Sequence, residues 1–365
     1  GAQSSGANIV SFNLDAFRSL GKRQGHNAPV GRAAEFAYTT AANYLLASEN
    51  QRMQIGDAST IFWAKNPCDF ESEFHSFLAP RKGEEAVSYE KIRGLLAAVK
   101  TGIPPDEADL PFYVLGLSPN ASRIDVRFWY DGNLKEIKER VADHFQDIEI
   151  VRSPRDSEYL SIFQLLAATA LEHKSENIPP QLGGDVARAI LAGTAYPRTF
   201  FSNALRRAKA EQRVTFAQAS VIKGSLARTS RISNDQQKEV SVKLDRTYNN
   251  IGYVLGRLFA VLERIQEQAQ GGALNKTIRD TYFSGAASSP QVIFKRIHDL
   301  SMHHLAKIKN AGKSTAWLEK EKGEIFDLLP KEGPPASLSL EDQGRFAVGY
   351  YHQRQDFFTK KETTE

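Results

Sequence analysis

The chain has 365 residues, of which 41% are hydrophobic and 25% charged, so it can form a buried core and is not wholly disordered. A formal net charge of +4 is compatible with a polyanionic partner but does not require one. The single cysteine, Cys68, excludes an internal disulfide framework and a thiolate-rich zinc site. With no apolar run of about 18 residues and no signal peptide, we expect a cytoplasmic protein that does not enter a membrane.

The first part of the chain is predicted to mix strands with helices. Predicted strands cover 8–14, 59–64, 111–118, 122–130 and 147–152. Predicted helices cover 32–47, 88–100 and 133–144. Pro119-Asn120 is interpreted as the turn of a hairpin, Asp131-Gly132 as the end of its second strand, and Asn133 as the cap of the helix that follows. The resulting β-β-α-β order indicates a small sheet with helices in the α+β manner.

After about residue 155 the pattern becomes helical. The predicted helices cover 157–173, 184–195, 197–211, 214–229, 251–270, 273–283, 290–310, 314–328 and 339–358. Residues 230–247 contain few large apolar side chains and are predicted to be a linker or exposed loop. We therefore predict an α+β domain over 1–155, a helical basic region over 156–239, and a C-terminal bundle of four or five helices over 240–365.

Basic charge is concentrated in two segments. Residues 188–246 contain 12 Lys and Arg against 4 Asp and Glu, a larger excess than that of the whole chain. Within it, one predicted helix carries Arg206, Arg207, Lys209 and Arg213, which are expected to contact phosphate or a neighbouring subunit. The second segment holds Lys295, Arg296, Lys307, Lys309 and Lys313. A solvated helix surface is the alternative for either cluster, but two clusters together favour nucleic acid.

Motifs for catalysis are incomplete. Gly312-Lys313-Ser314 resembles the end of a phosphate-binding loop, but Lys307 stands where that loop needs glycine. His298 and His303 lie about 140° apart on a helix and do not converge on a metal. The alternating run from Asp69 to His75 is a weak candidate for a metal site, because Phe70, Phe74 and Phe77 have helical spacing. We expect no catalytic residue, no metal site and no cofactor.

Five segments, in order along the chain, resemble the large subunit of the type I-C CRISPR surveillance complex, Cascade. They are GAQSSGANIVSFNLDAF (1–17), GLSPNASRIDVRFW (116–129), AYPRTFFSNALRR (195–207), GYVLGRLFAVLERIQEQAQ (252–270) and SLEDQGRFAVGYYHQRQDFF (339–358). The resemblance implies a complex of backbone and small subunits that carries a CRISPR RNA and searches double-stranded DNA. Its large subunit helps recognise the protospacer-adjacent motif, opens the duplex, steadies the displaced strand and offers a docking surface to a helicase-nuclease.

The resemblance also concerns the two ends of the chain. In the family the C-terminal helical region is similar to the small subunit, which here corresponds to about Val240 onward. The family's large subunit begins before the GAQSS segment and carries cysteine pairs there, so we expect this chain to lack that portion. Motif-reading residues upstream, and any zinc site, are therefore not assigned.

The remaining candidate DNA contacts follow from these expectations. The glycine-rich start permits close backbone approach to a DNA groove, where amides and arginines can read base edges; a flexible chain end is the alternative. The candidates there are Gln3, Ser4, Ser5, Asn8, Lys22, Arg23 and Gln24. In the bundle, Arg257 and Arg264 lie seven apart and are expected to hold single-stranded DNA. The aromatic residues Tyr350, Tyr351, Phe357 and Phe358 have core-like spacing and are not chosen.

Three functions from different classes stay open at this point. The first is an RNA-guided DNA-surveillance subunit without catalysis. The second is an independent metal-dependent nuclease or RNA-processing enzyme, and the third is a purely structural scaffold that touches only protein. Salt-dependent DNA binding separates the first from the third.

Overall fold

The computed structural model describes residues 12, 14–18, 20–120, 123–233, 240–271 and 276–358. Contacts divide the chain into two units. Unit 1 combines Gly1–His144, Tyr159–Leu166 and Ile178–Pro197, and unit 2 combines Phe145–Glu158, Ala167–Asn177 and Arg198–Glu365. The three domains over 1–155, 156–239 and 240–365 stay a prediction.

Unit 1 is built around a four-stranded antiparallel sheet in which each strand pairs with the next along the chain. Its strands are β1 (Arg52–Ile55), β2 (Ala58–Ala64), β3 (Pro111–Asn120) and β4 (Arg123–Asn133). Alternation places Phe62 and Phe112 on the inner face, where they meet Phe70 and Phe74. The ring centroids of Phe62 and Phe74 are 4.9 Å apart, and those of Phe70 and Phe112 are 5.3 Å apart. This aromatic cluster is the core of the unit.

Helices surround and follow this sheet. They are α1 (Arg32–Ala47), α2 (Asp69–Leu78), α3 (Glu85–Thr101), α4 (Pro105–Ala108), α5 (Leu134–Ile148), α6 (Ile162–Ala167) and α7 (Leu182–Ala192). The Asn133 side chain accepts a hydrogen bond from the Glu136 amide at 2.9 Å, so the predicted cap at the start of α5 is confirmed. Gly56, with φ +59°, forms the β1–β2 turn, where a Cβ would lie 3.1 Å from the Cα of Gly183. Glycine thus allows this turn and α7 to pack backbone against backbone.

Unit 2 is helical in its described residues. Its helices after residue 197 are α8 (Arg198–Glu211), α9 (Phe216–Ser233), α10 (Ile251–Ala269), α11 (Ile278–Ser288), α12 (Pro290–Asn310), α13 (Ala316–Phe326) and α14 (Leu340–Asp356). The core of the last five is centred on Phe259, whose ring lies 5.7 Å from that of Phe283, 6.4 Å from that of Phe294 and 5.9 Å from that of Phe346. No helix in the described part of the chain is long and apolar enough to cross a membrane.

The predicted fold class is confirmed: an N-terminal sheet with helices precedes a mostly helical region that ends in a bundle. The helix predicted over 32–47 has these same bounds, and that predicted over 251–270 ends one residue earlier. The predicted strands 59–64, 111–118 and 122–130 correspond to β2, β3 and β4. The strand predicted over 8–14 lies outside the described residues, apart from Phe12 and Leu14.

Several local predictions are wrong. Pro119 and Asn120 pair with Ile124 and Arg123, so they belong to β3 and not to a turn, and β4 runs through Asp131-Gly132 to Asn133. Residues 147–152 form no strand, because α5 extends to Ile148. The helix predicted over 157–173 shrinks to α6 and a short 3-10 turn, Leu171–His173. The short strand β1 was not predicted, whereas the helical spacing of Phe70, Phe74 and Phe77 is confirmed by α2.

The segment predicted as a linker, 230–247, is packed where the structure describes it. Residues 230–233 still belong to α9, and 234–239 lie outside the described residues. Val240 is 3% exposed, and the Val242 carbonyl accepts a hydrogen bond from the Val151 amide at 2.8 Å. The low apolar content of this segment therefore does not make its described part an exposed loop.

Candidate nucleic-acid interface

Helix α12 separates apolar from basic side chains. Its buried stripe consists of Phe294, Ile297, Ser301, Leu305 and Ile308, which recur every three or four residues. Pro290 occupies the first turn, where its missing N–H has no helical partner, and Gly312 follows the helix end with φ +72°. These signals fix the rotation of the helix, so the opposite face points to solvent.

Three predicted cations share that exposed face. Lys295, Arg296 and Lys307 are exposed, and none of them forms an ion pair within the described residues. The Arg296 guanidinium lies 5.5 Å from the centroid of the Tyr282 ring, and the Lys307 ammonium donates to the Gln270 side chain at 3.1 Å. From Lys295 to Lys307 the helix rises about 18 Å at 1.5 Å per residue. The cations therefore form a ridge rather than a single pocket.

Apolar groups interrupt this basic ridge. Val292 is 73% exposed and Leu300 36% exposed, and both belong to the same face. They help to line a shallow open groove of about 320 Å³ together with Lys295, Arg296, Asp299 and His303. The face thus offers positive charge and apolar contact side by side.

The other cations of the second cluster lie elsewhere. The Lys309 ammonium bonds to Glu319 at 2.9 Å, and this bond, with that from Thr315, holds the pKa of the Glu319 carboxyl below its usual value. Lys313 comes after the end of α12. The predicted cluster therefore divides into Lys295, Arg296 and Lys307 on one face, Lys309 turned towards α13, and Lys313 beyond the helix.

The histidines of α12 do not converge. The His298 ring packs edge-on to Phe326 at 5.4 Å, whereas His303 is exposed on the basic face. Burial, with the nearby Lys307 charge, lowers the pKa of His304. The run from Asp69 to His75 forms helix α2, which places Asp69 and Glu73 on one side and Glu71 and His75 on another. Among the described residues, no three His, Cys, Asp or Glu side chains are placed to hold a metal ion.

The first basic cluster divides in a similar way. Arg206 is exposed and bonds to the Asn203 side chain at 3.1 Å, whereas Arg207 pairs with Glu211 at 3.1 Å. Lys209 is half-buried, donates to Ser288 at 2.6 Å and to Gln343 at 2.9 Å, and has its pKa lowered by burial.

Arg213 lies beyond the end of the helix that carries Arg206, contrary to the prediction that both lie on one helix. Helix α8 ends at Glu211, Gln212 has φ +53°, and the Arg213 amide donates to the Ala208 carbonyl at 3.1 Å. This left-handed closure is a helix C-terminal motif, and it leaves the Arg213 side chain exposed just beyond the helix.

Much of the remaining charge in 188–246 is used inside unit 2. The Lys223 ammonium donates to the carbonyls of Gln146 and Asp147, at 3.1 Å and 2.9 Å, in the last turn of α5. The Asp147 carboxylate accepts from Arg228 at 2.9 Å and from Arg231 at 2.7 Å. Arg228 is fully buried. These three cations hold α9 against the end of α5 and are not available to a phosphate.

Arg257 was predicted to contact DNA, but it lies in the protein core. It is 1% exposed, its guanidinium donates to Gln353 at 3.1 Å and to the Arg246 carbonyl at 3.3 Å, and burial lowers its pKa. Arg264 is half-buried, pairs with Glu267 at 2.9 Å and lies 5.6 Å from the centroid of the Phe358 ring. The predicted pair does not form a common exposed face.

The N-terminal candidates are only partly described. Lys22, Arg23 and Gln24 are exposed, and Gln24 begins a short 3-10 turn, Gln24–Asn27, with φ +48°. The Asn27 side chain closes this turn by donating to the Lys22 carbonyl at 3.2 Å. Gln3, Ser4, Ser5 and Asn8 lie outside the described residues.

One surface feature was missed from the sequence. Trp63, Tyr113 and Trp129 come together on the outer face of the sheet, with ring centroids 5.3 to 6.0 Å apart, and Trp129 is 50% exposed. Each of these residues directly follows an inward-facing phenylalanine in its strand, so its own side chain points to the opposite face. That alternation within 59–64, 111–118 and 122–130 was a signal by which these outward-facing rings could have been found.

Comparison with known proteins agrees with the resemblance of the five segments. No curated protein matches the chain. The family model described as CRISPR-associated protein (Cas_Csd1) matches residues 1–358, nearly the whole sequence. The chain therefore belongs to the Cas_Csd1 family of CRISPR-associated proteins, the large-subunit family of type I-C Cascade.

Proposed function

We propose that this chain is the non-catalytic, DNA-contacting large subunit of an RNA-guided type I-C antiviral complex. It helps to recognise the protospacer-adjacent motif, stabilises the opened DNA and its displaced strand, and recruits the helicase-nuclease. Its neighbours are the backbone and small subunits that carry the CRISPR RNA. The observation that carries the proposal is the exposed, unpaired basic face of α12 in a chain of this family.

The α12 face suits the displaced single strand. Lys295, Arg296 and Lys307 have no carboxylate partner among the described residues, so they can release counterions from phosphates without first breaking an ion pair. Val292 and Leu300 add apolar surface beside the cations. Bases of a single strand are free to contact such groups, whereas a duplex presents its phosphates and groove edges.

Two further sets of residues are proposed as DNA contacts, one in each unit. Arg206, within α8, and Arg213, just beyond it, are exposed and supply additional phosphate contacts, with Arg264 in a secondary role. At the N-terminus, Lys22, Arg23 and Gln24, together with Gln3, Ser4, Ser5 and Asn8, are proposed to approach the duplex at the motif. Arginine and amide side chains suit that task because they bond to base edges in two places at once.

The salt dependence of DNA binding tests the role of α12. In the assembled complex, Lys295, Arg296 and Lys307 are replaced together by Gln, and binding to single-stranded DNA is measured at several salt concentrations. Losing three phosphate contacts lowers the slope of log K against log salt by about 2. A matched variant replaces Lys82, Lys320 and Lys331 by Gln, which removes equal charge at other exposed positions and leaves the slope nearly unchanged.

The same titration separates the competing functions. Equal slopes for both triple variants and the wild type would contradict DNA contact at α12. DNA binding by the wild-type complex that does not depend on salt would favour a scaffold that touches only protein. Magnesium is included in a parallel series with labelled DNA. Cleavage by the purified complex without the helicase-nuclease would contradict the non-catalytic role and revive the nuclease hypothesis.

A further inference from the structure

Helix α1 is held to the rest of unit 1 by little packing. None of its 16 residues is buried, and only Thr39, Ala42, Leu45 and Leu46 are half-buried. Its C-terminal end is fixed by Arg52, whose guanidinium donates to the Leu46 carbonyl at 2.9 Å. Helices of this length are marginal alone in water and draw their stability from packing of an apolar face. The half-buried residues supply only part of such packing.

The opposite face of α1 is apolar and uncharged. At 100° per residue, this face is formed by Ala33, Phe36, Ala37, Thr40, Ala41, Tyr44 and Ala47, all of them exposed. Phe36 and Tyr44 are each 72% exposed. A contiguous apolar surface of this kind usually marks an interaction site.

The shape of this face is complementary to the surface of another helix. Phe36, Thr40 and Tyr44 are spaced by four and form a ridge, and Ala33, Ala37 and Ala41, also spaced by four, form a shallow groove beside it. Ridges of one helix packing into grooves of another are the usual mode of helix–helix contact. Large aromatic groups beside small side chains also resemble the anchors of protein interfaces.

The charge and the area of this face limit the kind of partner that can bind to it. The face carries no cation, so it offers nothing to the phosphates of a nucleic acid. An aromatic side chain covers about 200 Å², so Phe36 and Tyr44 expose about 300 Å² between them. Even with the alanines, this is below the roughly 800 Å² per partner of a stable dimer. A second copy of the chain is therefore disfavoured, and a neighbour that is also held elsewhere fits better.

We propose that the exposed face of α1 is the docking site for an uncharged, apolar helix of a neighbouring protein subunit in the assembled complex. The inference rests on the proposed function, because it takes its partner from the protein subunits of that complex. Phe36 and Tyr44 insert beside the partner helix, and the alanine groove lets the two backbones approach closely.

Site-specific crosslinking in the reconstituted complex tests the proposal. A photoreactive phenylalanine analogue replaces Phe36 or Tyr44 in the full chain, and a control carries it at the exposed Lys320. Both α1 positions are expected to crosslink to one protein subunit, giving a product that resists nuclease and is degraded by protease. Crosslinks to nucleic acid, to a second copy of the chain, or no product above the Lys320 control would overturn the proposal.

A second measurement follows assembly. Replacing Phe36 and Tyr44 together by Glu is expected to lower incorporation of the chain into the complex at least tenfold, since both anchors become charged. The matched control, Val87→Glu with Leu171→Glu, adds the same charge at side chains that are 53% and 51% exposed. Circular dichroism checks that each variant is folded. Undiminished incorporation of the folded α1 variant would also refute the docking site.

Failure of this inference is distinguishable from failure of the proposed function. DNA binding of the wild-type complex and of the α12 variants is measured on the same preparations. If α1 gives no protein crosslink while DNA binding keeps its dependence on Lys295, Arg296 and Lys307, only the α1 proposal is lost. If DNA binding is absent but the α1 crosslink forms, the proposed DNA contact falls instead.

Discussion

Replacing Gly256 by Ala is expected to destabilise unit 2, because α10 and α14 are in direct backbone contact at this residue. A Cβ on Gly256 would overlap the Phe346 carbonyl oxygen and would lie 2.8 Å from the Tyr350 nitrogen and 2.9 Å from the Phe346 carbonyl carbon. Gly252 and Gly349 make similarly close contacts along the same pair. All the obstructing atoms at Gly256 belong to the backbone, so no side chain can rotate away.

The expected magnitude follows from two opposing effects. Overpacking of a well-packed core costs about 1–3 kcal/mol, and the upper end applies here because two helices must separate. Such a separation also weakens the dispersion contacts around Phe259, whose ring packs against Phe346 at 5.9 Å. Alanine in place of glycine returns about 1 kcal/mol through its higher helix propensity. We therefore expect a net loss of about 2 kcal/mol in the free energy of unfolding.

Equilibrium urea unfolding, followed by far-UV circular dichroism, measures this change. The matched control is Gly323→Ala in α13, where an added Cβ would meet nothing within 4 Å. That variant is expected to be as stable as the wild type or more stable by up to about 1 kcal/mol. If Gly256→Ala unfolds at the same urea concentration as Gly323→Ala, the close α10–α14 contact does not exist as described.

Two further predictions concern buried charges and protons. Asp147→Asn removes a carboxylate that accepts from both the fully buried Arg228 and Arg231, so urea unfolding should show a loss of about 3 kcal/mol in the free energy of unfolding. A change within about 0.5 kcal/mol would contradict this arrangement. Burial lowers the pKa of His352 to about 3, while its Nδ1 stays bonded to the Tyr253 hydroxyl at 2.8 Å. As the pH is lowered, His352 takes up a proton near pH 6.5 in the unfolded chain but not in the folded chain. Its contribution to the free energy of unfolding therefore decreases as the pH is lowered from about 6.5 to about 3, and the loss is about 2 kcal/mol at pH 5. His352→Gln should flatten the pH dependence of urea unfolding, and an unchanged slope would show that His352 is protonated in the fold.

The sequence predicted helices well where caps mark their ends. Asn250 immediately precedes α10, and its side chain accepts from the Tyr253 amide at 3.2 Å, which fixes the start within one turn. In α11 the start was placed five residues too early. There the capping box of Thr277 and Asp280 sets the boundary, and it had not been recognised.

The strand predicted over 147–152 shows why alternation alone can mislead. Ile148 and Ile150 are 5% and 4% exposed, so their period of two is a true burial signal. It arises from packing at the end of a helix, where the Lys223 ammonium donates to carbonyls in the last turn of α5. Lys223 lies more than 70 residues away in sequence, so no local pattern contains this information.

The site was predicted less completely than the fold, because charge compensation is a long-range property. The Arg246 guanidinium pairs with Glu321 at 2.6 Å and with Asp356 at 2.9 Å, partners 75 and 110 residues away. A count of charges within 188–246 cannot include such acids. The concentrated positive charge of that segment is therefore partly an internal framework of unit 2, and only some of it is presented to solvent.

The distribution of apolar side chains distinguishes cations that are bonded inside the protein from cations that face solvent better than a charge count does. Helix α9 is buried nearly all round from Gln218 to Leu226, so a lysine within it has no solvent face and must find a carbonyl or carboxylate inside the protein. Helix α12 instead has one apolar stripe, and its cations at Lys295, Arg296 and Lys307 lie off that stripe. A basic residue on the face opposite a single apolar stripe can reach a phosphate, whereas one on a helix that is apolar or small on every side is structural. By this criterion the α12 face, and not the more basic 188–246 segment, is where DNA contact should be sought first.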